Sequence, residues 1–106
     1  MLDTVAGRPA AGVAIELRRD GVVLCRTSTN ADGRTDAPLL APGELERGPY
    51  ELVFGVGAYF AARGVVGADP PFLDEVPVRF GVSDPAAHHH VPLIVTPWSY
   101  STYRGS

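Results

Sequence analysis

The stretch from Ala87 to Ser106 reads AHHHVPLIVTPWSYSTYRGS and carries most of the chemically active side chains of this chain. Successive side chains of a β-strand point to opposite faces, so the residues from His88 onward divide into two sets. One predicted face holds His89, Val91, Leu93 and Val95, and the other holds His88, His90, Pro92, Ile94 and Thr96. Pro97 interrupts the run and Trp98 to Tyr103 resumes it. The stretch therefore predicts two adjacent strands joined by a tight connection.

The rest of the chain also favours an all-β fold. Twelve glycines and ten prolines separate short apolar alternations, which is typical of strands joined by many turns. Asp20-Gly21 predicts a hairpin turn, and 37–47 predicts a loop or a short edge strand. Further strands are predicted at Leu2 to Thr4, Gly12 to Arg19, Val22 to Thr29, Tyr50 to Val56 and Glu75 to Val82, with one short helix at Ala58 to Arg63 ended by Gly64. A sandwich of two sheets is the expected closure.

Length and charge restrict both the architecture and the partners. At 106 residues the chain is long enough for one core, so a single domain over 1–106 is expected. The net charge of -3 and the scattered basic residues argue against nucleic acid and anionic membrane as partners. No apolar run is long enough to span a membrane, and Cys25 is the only cysteine, so a reducing, cytoplasmic location is expected. Cys25 is interpreted as a small buried strand residue rather than a reactive thiol.

The C-terminal stretch resembles one protein family. His-x-His-Val-Pro-Leu, a later Pro, and Tyr-Ser-Thr-Tyr-Arg-Gly-Ser at the end are similar to the signature of the transthyretin-related 5-hydroxyisourate hydrolases. Within that family, the tetrapeptide Tyr103 to Ser106 separates the enzymes from transthyretin itself. Similar blocks occur in the family's order at Leu2 to Thr4, Gly7 to Ala10, Thr29 to Arg34, Gly57 to Phe60, Phe72-Leu73 and Val76 to Phe80.

The resemblance implies a fold and an activity. The expected fold is a transthyretin-like (prealbumin-like) Greek-key β-sandwich of two antiparallel sheets with one short helix. The expected assembly is a homotetramer, a dimer of dimers, with active sites in the channel between the dimers. The expected substrate is the small molecule 5-hydroxyisourate, an intermediate of urate degradation, and no cofactor or metal is expected.

The resemblance also assigns roles to individual residues. Hydrolysis of a strained cyclic amide needs a base for water, a cation for the polar edge of the substrate, and donors for the developing oxyanion. His90 matches the base or proton shuttle, Arg34 the cation, and Ser106 the group that orients the histidine or the water. The expected substrate-binding set is Arg34, Tyr103, Arg104, Gly105 and Ser106. Taken without the resemblance, His90 and Arg34 are more simply read as packed or solvated surface residues.

Other interpretations of these side chains remain open. His88 and His90 lie two apart on a strand and are two potential zinc ligands, but a zinc site needs three or four converging groups. His89 faces the apolar side, where a structural role is expected. The aromatic residues Tyr59, Phe60 and Phe72 are expected in the core rather than around a ligand.

The start of the sequence departs from the family pattern. The family has Ser/Thr-Thr-His-Val before Leu-Asp-Thr and counts that histidine among its catalytic residues, whereas Met1 directly precedes Leu2 in this sequence. The sequence as given is therefore expected to be a poor hydrolase that still binds urate-like ligands.

Two other functions compete with the enzyme. One is a transthyretin-type binding protein that holds a small aromatic ligand in the same channel without turnover. The other is a structural sandwich module, because 7–13 together with Asp32-Gly33 is also similar to prealbumin-like and carboxypeptidase-regulatory domains. The terminal tetrapeptide together with His90 and Arg34 favours the enzyme.

Overall fold

Eight strands and one helix alternate with turns in the computed structural model, which describes residues 1–41, 43–65 and 68–105. In chain order they are β1 (Leu2–Asp3), β2 (Arg8–Pro9), β3 (Ala14–Arg19), β4 (Val22–Ser28), β5 (Gly48–Gly55), α1 (Val56–Ala62), β6 (Glu75–Val82), β7 (Leu93–Val95) and β8 (Tyr100–Thr102). Segments 38–41 and 43–47 contain no strand, so this part of the chain is a loop, one of the two forms predicted for it.

Both sheets have four strands, and the larger sheet is the one with the longer strands. Its strand order is β4-β3-β5-β6, and each neighbouring pair in it is antiparallel. The hairpin between β3 and β4 turns at Asp20 and Gly21, whose φ angles are 51° and 77°. Positive φ at both turn positions matches the right-handed twist of the flanking strands, which is why Asp-Gly is a strong hairpin signal. The predicted hairpin is confirmed.

The smaller sheet has the order β2-β1-β7-β8 and contains one parallel pair. Leu2 lies opposite Ile94 and Asp3 opposite Val95 with the two strands running in the same direction, whereas the β1–β2 and β7–β8 pairs are antiparallel. Antiparallel order is imposed by short hairpins, and β1 and β7 are not joined by one. The predicted sandwich of two sheets and one short helix is confirmed, with this parallel pair as a refinement.

The core lies between the two sheets and under the helix. Apolar side chains at alternate strand positions point inward, as the period of two requires. The buried cluster comprises Ala10, Val13, Ile15, Leu17, Tyr50, Leu52, Phe54, Val56, Tyr59, Phe60, Val76, Val78, Val82, Leu93 and Val95. Leu93 and Val95 are each 1% exposed, which confirms the inward face predicted for the C-terminal stretch. Cys25 is only half-buried and packs against the edge of this core.

The helix begins two residues earlier than predicted and ends one residue earlier. It follows β5 without a loop, and Gly57 near its start lies against Asp74, where a Cβ would approach the carboxylate Oδ1 to 2.6 Å. At its other end Gly64 adopts φ +73°, and its amide donates to Ala61 O at 3.1 Å, so the predicted glycine stop is confirmed. No helix in the described ranges is long and apolar enough to cross a membrane.

Two predictions for the C-terminal half need correction. Strand β7 begins at Leu93 rather than near His88, because Pro92 has no amide hydrogen to donate to a neighbouring strand. Phe72 is 69% exposed, so its assignment to the core is wrong. Its ring instead packs on that of Trp98, with ring centroids 6.0 Å apart, outside the sandwich.

Candidate active site

His90 lies just before β7, and the C-terminal tail runs beside it. The β7–β8 register that places Leu93 opposite Thr102 also places His90 opposite Gly105, so the hairpin resumes after its interruption at Pro92. Gly105 N–H donates to His90 O at 2.8 Å, and Thr102 Oγ1 donates to Pro92 O at 2.7 Å. These contacts hold the tail against the exposed His90. The sequence grouped His90 and the tail in one site, and the described part of the tail does lie at His90.

Arg34 is positioned by the turn that begins at Asn30. The Asn30 Oδ1 atom accepts hydrogen bonds from Asp32 N at 2.9 Å and from Arg34 N at 3.1 Å. The Asn30 amide in turn donates to Arg34 O at 2.7 Å, and Gly33 N donates to Asn30 O at 2.9 Å. Four hydrogen bonds thus fix the backbone of the turn, while the Arg34 side chain is exposed. Sequence reasoning found the arginine and a turn from Asn30 to Gly33, but not the role of the Asn30 side chain in fixing that turn.

The turn carrying Arg34 packs against the start of β1. The Met1 amino group donates to Gly33 O at 2.6 Å, and a Cβ on Gly33 would collide with Met1 O. The pKa of the Met1 amino group is lowered, first by burial and second by the positive charge of Arg34. Strands β1 and β7 run parallel and Leu2 pairs with Ile94, so Met1 lies beside the start of β7. His90 comes shortly before that start in the chain. Arg34 therefore flanks the same end of the smaller sheet as His90.

The remaining predicted site residues belong to the C-terminal tail. Tyr103 is 57% exposed and Arg104 is exposed, so both present their side chains to solvent. Gly105 is half-buried against His90. Ser106, predicted as catalytic and substrate-binding, lies outside the described residues. The four salt bridges among the described residues use Arg18, Arg19, Arg26 and Arg79, which leaves the Arg34 and Arg104 guanidinium groups out of them.

The two histidines that precede His90 differ in their exposure to solvent. His88 is exposed and His89 half-buried, as expected from the alternation of faces. His89 Nδ1 is buried and has no hydrogen-bond partner within the part of the chain that the structure describes. In that same part, no three His, Cys, Asp or Glu side chains are grouped so that they could hold a metal ion.

An internal carboxylate was missed by sequence reasoning. Asp3 is 2% exposed, and it accepts hydrogen bonds from Tyr59 Oη at 2.7 Å, Val5 N at 2.9 Å and Ala6 N at 3.0 Å. Burial raises its pKa, but the hydrogen bonds and the charge of Arg63 outweigh burial and hold the pKa below its usual value. An acidic residue inside an apolar first strand was the available signal. Asp3 ties β1, and so the Met1 end of the candidate site, to helix α1.

Two surface cavities lie away from the candidate residues. One, of about 300 Å³, is lined by residues including Arg18, Tyr50 and Arg79, and the other, of about 610 Å³, by residues including Asp3, Tyr59 and Arg63. Neither is lined by His90, Arg34 or 103–105. Arg34, His90, Tyr103 and Arg104 are all exposed, so in a single chain these candidate residues lie on the open surface at one end of the smaller sheet.

Comparison with known proteins identifies the family. Residues 1–105 match the profile of the HIUase/Transthyretin family. A 5-hydroxyisourate hydrolase of Deinococcus radiodurans is 54% identical over 110 residues, covering 100% of this chain and 92% of the relative. The solved structure of Klebsiella pneumoniae 5-hydroxyisourate hydrolase superposes with a TM-score of 0.83 at 34% identity, covering 99% of this chain and 93% of that one. An (S)-allantoin synthase structure superposes with a TM-score of 0.93 at 46% identity over 99% of this chain, which spans 41% of that longer protein. The chain belongs to the HIUase/transthyretin family.

Proposed function

We propose that this protein hydrolyses 5-hydroxyisourate, a cyclic amide formed by oxidation of urate. The carrying observation is the backbone pairing of Gly105, in the terminal tetrapeptide typical of the family's enzymes, with His90. The similarity to hydrolases of that name over the full described length supports the proposal. A tail that lies at the histidine is what an enzyme site needs and what a simple ligand-binding face does not require.

In the proposed reaction, water adds to a ring carbonyl carbon of 5-hydroxyisourate. The amide carbon–nitrogen bond breaks, the leaving nitrogen takes up one proton from the water, and the carbonyl carbon becomes a carboxylic acid that ionises and releases the other proton to solvent, giving 2-oxo-4-hydroxy-4-carboxy-5-ureidoimidazoline. His90 removes the proton from water and returns it to the leaving nitrogen, the usual dual role of an imidazole. Arg34 holds the polar edge of the substrate with its planar guanidinium.

The tail completes the proposed binding site. Tyr103 and Arg104 are exposed beside the smaller sheet and supply a wall for the substrate. Gly105 lies against His90, and Ser106 brings a hydroxyl to the end of the tail. This scheme uses no metal and no cofactor, because an activated water, a cation and hydrogen-bond donors suffice for amide hydrolysis.

The proposed assembly is a homotetramer, a dimer of dimers, whose inter-dimer channel holds the sites. Large apolar side chains exposed in the single chain support it: Phe72 69%, Tyr103 57%, Trp98 56% and Tyr100 44%. All three residues of β8 are exposed, and β8 is an edge strand, which a second copy would cover. An open face becomes a channel when two such faces meet. We further propose that 1–106 acts as one domain, located in the cytoplasm.

Direct assay tests the proposed activity. 5-Hydroxyisourate is generated in situ by oxidising urate, and its spontaneous decay is followed by ultraviolet absorbance with and without the protein. The expected result is a decay rate that rises in proportion to protein concentration and saturates with substrate. An unchanged decay rate, together with measurable binding of urate-like ligands by calorimetry, would instead identify a transthyretin-type binding protein.

A further inference from the structure

The side chain of His90 rests directly on a glycine of the tail. A Cβ built on Gly105 would overlap His90 Nδ1 and would lie 2.7 Å from its Cγ and 3.0 Å from its Cβ. Two of these three atoms belong to the imidazole ring. Any side chain at 105 would therefore occupy the space in which the ring lies.

Space, rather than backbone conformation, is what requires a glycine here. Gly105 is not among the described glycines with positive φ, which are Gly7, Gly12, Gly21, Gly33, Gly43, Gly48 and Gly64. An alanine at 105 would thus be free of backbone strain and would differ from glycine only by the methyl group that meets the ring. The hydrogen bond from Gly105 N–H to His90 O, at 2.8 Å, fixes the backbone at this point, so the tail does not simply move aside.

Pairing along the β7–β8 hairpin limits how a clash between a side chain at 105 and the His90 ring is relieved. The hairpin register is set by β7 and β8 and carries through to His90 and Gly105 without a shift. The hydrogen bond from Thr102 Oγ1 to Pro92 O, at 2.7 Å, adds a fixed point between them. With the backbone held on both strands, the group that yields is the exposed imidazole, which rotates about its side-chain bonds.

We propose that Gly105 is a positioning residue for His90. Because Gly105 has no side chain, the imidazole ring packs directly against its Cα, and this contact sets the orientation in which the ring exchanges protons. The inference rests on the proposed function and replaces the expectation that Gly105 binds substrate. Because the Nδ1 edge of the ring packs against Gly105, Nε2 is the ring nitrogen directed away from the tail. Misplacing a catalytic group by about an ångström costs on the order of a hundredfold in rate, so an added methyl has a measurable consequence.

Four variants test the contact between Gly105 and the His90 ring: Gly105→Ala, His90→Ala, the double variant G105A/H90A, and Gly81→Ala. Gly81 is the matched control because it has no positive φ and its added Cβ meets nothing within 4 Å. Each protein is assayed for kcat and KM with 5-hydroxyisourate, and the His90 ring signals are recorded by NMR without substrate. Circular dichroism checks that each variant is folded.

The expected result is a kcat lowered on the order of a hundredfold by Gly105→Ala, with KM changed by less than about threefold. The His90 ring signals move, and Gly81→Ala behaves as the unsubstituted chain. The double variant is no slower than His90→Ala, because the ring that the methyl meets is gone.

Three results would overturn the inference: an unchanged kcat in Gly105→Ala, a loss that adds to that of His90→Ala, or unmoved ring signals. If the unsubstituted chain does not hydrolyse 5-hydroxyisourate at all, the proposed function fails. In that case the ring signals alone still decide whether Gly105 holds His90.

Discussion

The hydroxyl of Tyr59 donates a 2.7 Å hydrogen bond to the carboxylate of Asp3, which lies 56 positions earlier in the chain. We expect Tyr59→Phe to lower the free energy of unfolding by about 1–3 kcal/mol, because the buried carboxylate loses its side-chain donor. Urea denaturation measures the change. The control is Ser83→Ala, which removes an exposed hydroxyl and should matter by less than about 0.5 kcal/mol. Equal stability of the two variants would show that the Asp3–Tyr59 pair does not hold the helix to β1.

The acid sensitivity of the protein should also depend on Asp3. Its pKa is lower in the folded chain than its ordinary value, so its contribution to stability is present above about pH 4 and is lost as pH falls through the folded pKa. Asp3→Asn lacks this contribution at every pH. The gap in urea midpoint between the unsubstituted chain and Asp3→Asn should therefore narrow below about pH 4. A gap that stays constant from pH 7 to pH 3 would contradict this linkage.

Pattern reasoning succeeded where the local signal and the tertiary environment agree. The Asp20-Gly21 hairpin, the Gly64 helix stop and the inward face of Leu93 and Val95 all depend on neighbours within a few residues. It did not specify the β1–β7 direction and it failed for Phe72, because a parallel pair between distant strands and the exposure of one aromatic ring are set by the whole fold.

The candidate site was predictable in membership but not in geometry. Resemblance supplied His90, Arg34 and the tail, yet the residues that hold them were found only in three dimensions. Asn30 fixes the Arg34 turn through backbone hydrogen bonds, and Asp3 anchors β1 through Tyr59. The Asp3–Tyr59 contact joins positions 56 apart, which no periodicity of a single sequence reports, whereas the Asn30–Arg34 contact spans four positions but depends on a side-chain orientation that turn propensity alone does not specify.

Arg34→Ala and His90→Ala should each lower turnover of freshly generated 5-hydroxyisourate by about a hundredfold or more. This is the scale at which loss of an acid–base or charge-stabilising group is usually felt. Both side chains are exposed, so folding should be little affected. Arg47→Ala and His88→Ala are matched controls, since each removes an exposed side chain of the same type outside the proposed site. Near-normal rates for the two site variants would place the chemistry elsewhere on the molecule.

An extended first strand should raise activity. The pairing of Leu2 with Ile94 places a residue immediately before Met1 opposite Pro92, on the same face as His90. Replacing Met1 by Ser-Thr-His-Val puts an imidazole there, where two rings can divide proton removal and delivery. We expect a gain on the order of a hundredfold in rate. The same extension with alanine in place of its histidine is the control, and equal rates for the two would refute the role assigned to the added ring.

The proposed tetramer predicts a mass about four times that of the 11.2 kDa chain in sedimentation equilibrium at micromolar concentration. The exposed Phe72–Trp98 pair should be part of the buried contact. Changing Phe72 and Trp98 to serine should then shift the mass downward while the circular dichroism spectrum is retained. A clean monomer of the unsubstituted chain would remove the basis for a site built in an inter-subunit channel.

The parallel pairing of β1 with β7 has a consequence for how the protein emerges from the ribosome. Within the described residues, strands β3 to β6 pair only with one another, so the larger sheet can assemble while synthesis continues. Strand β1 has no such freedom, because Thr4 bonds to Val95, 91 positions later, and β1 depends on β7 to complete its sheet. Residues 2–4 therefore reach their final places only after β7 has been synthesised. The end of the smaller sheet that carries His90 and Arg34 is therefore completed only after β7 has left the ribosome.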